Sequence, residues 1–175
     1  MEFWTIGHST RSIDEFLAAL AAQRISLVVD VRKLPGSRKY PQFNQEELAR
    51  SLAAAGIGYE WWPELGGRRK GDPESHNTAW RNASFRAYAD YMETPEFAAA
   101  IDRLVERAKS ERIAYLCSEA VWWRCHRGLI SDYLKVRGHE VRHIQDEKRT
   151  EEHPYTSAAR VVNGELSYRG EKELF

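Results

Sequence analysis

Ile113-Ala114-Tyr115-Leu116-Cys117-Ser118-Glu119-Ala120-Val121-Trp122-Trp123-Arg124-Cys125-His126-Arg127 changes character twice. Its first four residues are a short apolar run of the kind that makes a buried strand. A loop carrying Glu119 and a tryptophan pair follows. Cys125-His126-Arg127 then opens an amphipathic segment that reaches about Lys135. Strand, loop and helix in that order are the repeating unit of a parallel α/β sheet. Both cysteines of the chain lie inside it, eight positions apart. A helix N-terminus has unpaired N–H groups and a partial positive charge, so it lowers a thiol pKa and attracts anions. Arg124 and Arg127 add to that pull.

The alternation extends outward on both sides. Residues 3–6, 27–31, 58–62 and 140–144 read as further strands, and 27–31 has the continuous apolar character of a central parallel strand. Helices are predicted over 13–23, 45–55, 85–92 and 95–109. Ser12 and Glu15 have capping-box spacing, Asn44 and Glu47 repeat it, and Thr94-Pro95 is a cap followed by proline at the favoured first position. A short strand pair is expected around Val161 and Leu166. The prediction is one α/β domain over residues 1–175: a mainly parallel sheet of about five strands, with helices on both faces and right-handed crossovers.

Bulk composition is consistent with this. A chain of 175 residues suits one domain with a proper core. Acidic and basic residues balance at 26 each, so no global field steers it to nucleic acid or membranes. No apolar run approaches the roughly 20 residues of a membrane span. Met1-Glu2-Phe3-Trp4 lacks the pattern of a signal peptide. Two cysteines without an export signal point to the cytoplasm, where thiols stay reduced.

In parallel sheets the functional residues lie beyond the carboxyl ends of the strands. His8 and Ser9 follow the first strand; Asp30 and Arg32 end the second. Gly66-Gly67-Arg68 lies after the third, Cys117 and Glu119 after the fourth, and His143 near the end of the last. The unusual polar residues are therefore expected at one edge of the sheet.

Thr5-Ile6-Gly7-His8-Ser9-Thr10, Asp30-Val31-Arg32 with Pro35, Ser37 and Phe43, Leu65-Gly66-Gly67-Arg68, Cys117-Ser118-Glu119, Cys125-His126-Arg127 and His143-Ile144 follow one another in motif order. The set resembles the domain-of-unknown-function 488 family over about residues 3–145, with 146–175 as a polar extension. The resemblance implies the fold and marks these residues as the family's motif positions. It implies no particular reaction.

The residues leave several chemistries open. Cys125 reads as a nucleophile or redox centre, as the wall of an anion site, or as a small buried hydrophobe. Cys117 and Cys125 can pair as a disulfide, or join His126, His8 or His143 around a metal, although their spacing matches no common zinc pattern. Glu119 and Asp30 are candidate acid/base groups; the plain alternative for Asp30 is an ion pair with Arg32 or Arg127. His8 reads as a base or as a group bonded to its own loop. Arg32, Arg68, Arg124 and Arg127 are the candidate anion binders, with Ser9, Gly66, Gly67, Cys117, His126 and His143 completing the pocket. No nucleotide-cofactor motif is present, and no membrane partner is expected.

The leading expectation is an enzyme acting on a phosphate-bearing or other anionic substrate, a nucleotide or nucleic acid included, by hydrolysis or group transfer. One rival is a non-catalytic nucleic-acid-binding protein using Arg68-Arg69-Lys70, Arg81 and Arg86 among Trp61, Trp62 and Trp80. The other is a thiol or metal sensor.

Overall fold

A computed structural model of the chain describes residues 1–36 and 38–170; Ser37, one of the motif residues, lies outside them. Strands β1 (Glu2–Gly7), β2 (Leu27–Asp30), β3 (Gly58–Trp61), β4 (Ile113–Cys117) and β5 (Glu140–Ile144) are joined by helices α1 (Ile13–Ala22), α2 (Gln45–Ala54), α3 (Ala83–Tyr91), α4 (Pro95–Arg107) and α5 (Arg127–Val136). The five strands are mutually parallel. A sixth, β6 (Thr150–Glu152), pairs antiparallel with β5, giving the order β3-β2-β4-β1-β5-β6. The polar triplet Thr150-Glu151-Glu152 has no strand signature of its own and was not expected to join the sheet. A separate hairpin, β7 (Arg160–Val162) with β8 (Glu165–Ser167), forms where a strand pair was expected. Asn163 and Gly164 make its two-residue turn, both with positive φ.

Strand periodicity sorts the core into two layers. Successive side chains of a strand point to opposite faces. Ala114 and Leu116 join Trp4, Ile6 and Val28 beneath Phe16 and Leu20 of α1 and Leu48 and Leu52 of α2. Ile113, Tyr115 and Cys117 join Phe3, Leu27 and Val29 on the other face, against α3, α4 and α5. Cys117 therefore faces the layer that contains Cys125. Most expected caps are present: Ser12 and Glu15 form the capping box, and Thr94 accepts from the Phe97 amide. Asn82 accepts from Ser84 and Phe85, starting α3 two residues earlier than expected. Asn44 holds the N-cap position of α2 without a side-chain capping bond.

β1 and β4 are neighbours, yet β1 leads to α1 on one face and β4 to α5 on the other. Chains leaving adjacent strand ends in opposite directions open a crevice between them, the usual ligand position in such sheets.

Candidate functional site

That crevice is a cleft of about 710 Å³, lined by His8, Ser9, Arg68, Cys117, Glu119, Arg124, Cys125 and His126 among others. At its floor the Cys117 and Cys125 sulfurs lie 2.7 Å apart and share a hydrogen bond. Both are free thiols. The amide of Arg127, the first residue of α5, donates to Cys125 Sγ at 3.4 Å, so the helix start is aimed at this sulfur.

Arg127 is the unusual group beneath them. Its side chain is 1% exposed, yet no carboxylate lies within ion-pair reach among the described residues. Nη1 donates to Thr5 Oγ1, Nη2 donates to the Glu119 carbonyl, and Nε has no hydrogen-bond partner. An unpaired buried cation is costly, and a thiolate beside it supplies the missing charge. The two thiols respond differently. Burial pushes Cys125 up, but the Cys117 hydrogen bond and the Arg127 charge outweigh it and bring it to about 7. Burial and the bond to Cys125 push Cys117 well above the ordinary thiol range.

His126 completes the group. Its Nε2–H donates to the Val31 carbonyl at 2.9 Å, which leaves Nδ1 as an acceptor 3.5 Å from Cys125 Sγ. Burial lowers its pKa, so the ring is a neutral base. A Cβ on Gly67 would sit 3.2 Å from that Nδ1, so this glycine gives the ring its room. His8 faces the cleft from β1. It stacks on Phe43 at 4.5 Å, and its Nδ1–H donates to the Ser9 carbonyl at 3.1 Å. It too is lowered by burial. Arg68, Arg124, Lys33 and Lys39 are exposed and line the cleft with positive charge, with Glu119 among them.

The expected site residues Asp30, His143 and Gly66 sit outside the cleft lining, while Arg32 lines it. Asp30 is fully buried and spent: it accepts two donors from the Arg32 guanidinium, the Arg32 amide and the Tyr59 hydroxyl. It holds no free acceptor for acid/base work. Arg32 also donates from Nη1 to the Phe43 carbonyl, so the pair orders the loop after β2 while the arginine stays in the cleft wall. His143 lies behind the cleft, stacked on Trp122 at 4.8 Å. Gly66 packs against Lys33 and Pro63 at a turn beside the cleft. In the tryptophan-rich loop, Trp62 is buried under Arg103, Trp80 packs on Phe85 and Tyr168, and Arg69 covers the Tyr91 ring at 3.7 Å. Those rings are packing groups rather than a stacking platform.

Sequence reading did not find the relay that leads away from Arg127. Thr5 Oγ1, which accepts from Arg127, donates to His143 Nδ1 at 2.6 Å. His143 Nε2–H donates to His153 Nδ1 at 2.8 Å, and His153 Nε2–H donates to Asp132 at 2.7 Å. Thr156 and Tyr168 also donate to Asp132. Every donor finds an acceptor in one direction, running from a buried cation to a buried carboxylate. Burial holds His143 neutral, with a pKa near 2. The chain draws on β1, β5, α5 and the tail after β6, and no local spacing announces it.

These features define a class: an α/β protein with a thiol pair and a buried arginine at the switch point of its sheet. The chain belongs to the family described as a domain of unknown function, DUF488, whose model matches residues 12–134. The matched span holds Cys117, Glu119, Cys125, His126 and Arg127; His8 and His143 fall outside it. No curated protein and no solved structure matches the chain. Among the described residues, no helix is long and apolar enough to cross a membrane, and no group of three or more His, Cys, Asp or Glu side chains is placed to hold a metal ion.

Proposed function

We propose that the protein is an enzyme that draws an anionic small molecule, a phosphate-bearing one included, into this cleft and attacks it with the Cys125 sulfur. The observation that carries the reading is the placement of Cys125 between His126 Nδ1, the Arg127 amide and a guanidinium that lacks a carboxylate partner. Such an arrangement favours a thiolate at neutral pH. The rim cations Arg68, Arg124, Lys33 and Lys39 supply the attraction for an anion, and His8 or His126 a proton acceptor or donor near the reacting atom. With Trp62 and Trp80 committed to packing, Trp61 alone of the three named tryptophans is exposed, which makes the nucleic-acid-surface reading the weaker one.

Alkylation rates of Cys125 with iodoacetate and iodoacetamide, followed against pH and salt by peptide mass spectrometry, test the proposal. The expected midpoint is near 7. The anionic reagent is expected to be favoured by roughly tenfold at low salt, relative to a free small thiol, and the advantage to shrink as salt screens the rim. An ordinary thiol midpoint with no preference for iodoacetate would overturn it.

A further inference from the structure

The proposed function uses one thiol, and the cleft holds two. An attack by a thiolate on phosphorus or carbon has no need of a second sulfur. A neighbouring thiol matters only when the first sulfur has been oxidised, because Cys125 Sγ then becomes an electrophile that Cys117 can attack. The sulfurs lie 2.7 Å apart, within an ångström of the bonding distance of about 2.05 Å. They come from different elements, the end of β4 and the start of α5, joined by a loop whose residues 118–120 are exposed. Both line the cleft, so a bound molecule reaches the pair.

We propose that Cys125 and Cys117 are the attacking and resolving thiols of a thiol–disulfide exchange site, whose substrate is a low-molecular-weight disulfide carrying carboxylate or phosphate groups. The inference rests on the thiolate reading of Cys125 above and adds the reaction and the substrate class. In the first step the Cys125 thiolate attacks one sulfur of R–S–S–R, forming a mixed disulfide as RS⁻ departs. In the second, Cys117 attacks Cys125 Sγ, the protein disulfide forms, and the other RS group leaves with the Cys117 proton as RSH. The substrate gains two electrons and the dithiol loses two.

Electrostatics give the order. While Cys125 is a thiolate it occupies the charge of Arg127, and Cys117 stays protonated. Once Cys125 is in the mixed disulfide its charge is gone, and Arg127 is left to favour ionisation of Cys117 at the moment a second nucleophile is needed. The rim cations select for negatively charged disulfides by steering.

The test uses the reduced wild-type protein with dithiobis(nitrobenzoate), an anionic disulfide, and with cystamine, a cationic one. Wild type is expected to release two equivalents of nitrothiobenzoate and to end lighter by two hydrogens, with no adduct. The anionic reagent should react at least about tenfold faster at low salt than cystamine does, after normalisation to a free thiol. Cys117→Ser should stop at one equivalent and hold the adduct on Cys125. A stable one-equivalent adduct on wild type would overturn the resolving role while leaving the thiolate nucleophile intact. Equal rates for the two disulfides would overturn the anionic class. Silence of Cys125 toward both disulfides and toward iodoacetate would remove this inference and the proposed function together. The wild-type mass stands as the readout even if Cys117→Ser fails to fold.

Discussion

Cys117 and Cys125 have the same side chain and opposite tendencies, and the bond between them together with Arg127 makes the difference. Both thiols are buried. Only Cys125 also receives the Arg127 amide, at the start of α5. Replacing the guanidinium tests this directly. Arg127→Met is expected to raise the Cys125 alkylation midpoint from about 7 by a unit or more, slowing alkylation at neutral pH by about tenfold. Arg127→Lys should restore it poorly, because a point charge cannot also reach Thr5 Oγ1 and the Glu119 carbonyl. An unchanged midpoint in a folded Arg127→Met protein would assign the low pKa to the helix start and Cys117 alone. At this scale the sequence was readable where the partners are contiguous. Cys125-His126-Arg127 stood out as reactive because its three side chains share one helix start. The Asp30–Arg32 pair was less readable: two residues apart at a strand end, they close on each other, and Tyr59 from β3 completes the bond set of Asp30.

Between elements, the tightest junction is where β1 passes the loop after β4. A Cβ on Gly7 would fall 1.6 Å from the Glu119 carbonyl oxygen, a backbone atom that also accepts from Arg127 Nη2. Gly7→Ala is therefore expected to cost about 2 kcal/mol or more in urea unfolding and to raise the Cys125 midpoint, because the displaced carbonyl lets go of the arginine. Ser12→Ala is the matched control, removing the capping box of α1, the helix that follows β1. It should cost about 1 kcal/mol and leave the Cys125 midpoint unchanged. Equal effects of the two variants on Cys125 would argue against the Gly7–Glu119–Arg127 linkage. The element pattern itself was legible because each strand and helix carries its own period. β6 was not, since Thr150-Glu151-Glu152 becomes a strand only by finding the free edge of β5.

For the whole molecule, histidines whose pKa burial lowers set the acid limit of stability. Burial lowers His8, His126 and His143, the last to about 2. The folded chain therefore binds fewer protons than the unfolded chain below the ordinary histidine pKa of about 6.5. With folded values depressed, stability is full above 6.5 and falls as pH drops toward the folded values. His143 alone should cost about 2 to 3 kcal/mol on going from neutral to about pH 4.5. Urea midpoints across that range measure it, and a flat profile would show that these rings take up protons in the folded state. The relay from Arg127 to Asp132 makes the same demand from inside. It holds only while His143 accepts from Thr5 Oγ1 and donates to His153.

The alternation of strands and helices, the single α/β domain and the sheet edge that gathers the reactive residues can all be read from the residues alone. Each of those follows from local period, caps and the rule that parallel strands carry their sites at their carboxyl ends. Which residues share the site depends on how the elements pack across the sheet. The tertiary structure brought Cys117 and Cys125 into contact by packing α5 on the face of β4 that Cys117 occupies, and it left Asp30 and His143 out of the cleft lining. It also placed a buried guanidinium beneath the two sulfurs, tied to Thr5 and the Glu119 carbonyl rather than to a carboxylate. The physical reason is range. Periodicity and capping act within a few residues, whereas the partners of Arg127 lie up to 122 positions away and are chosen by which strands become neighbours.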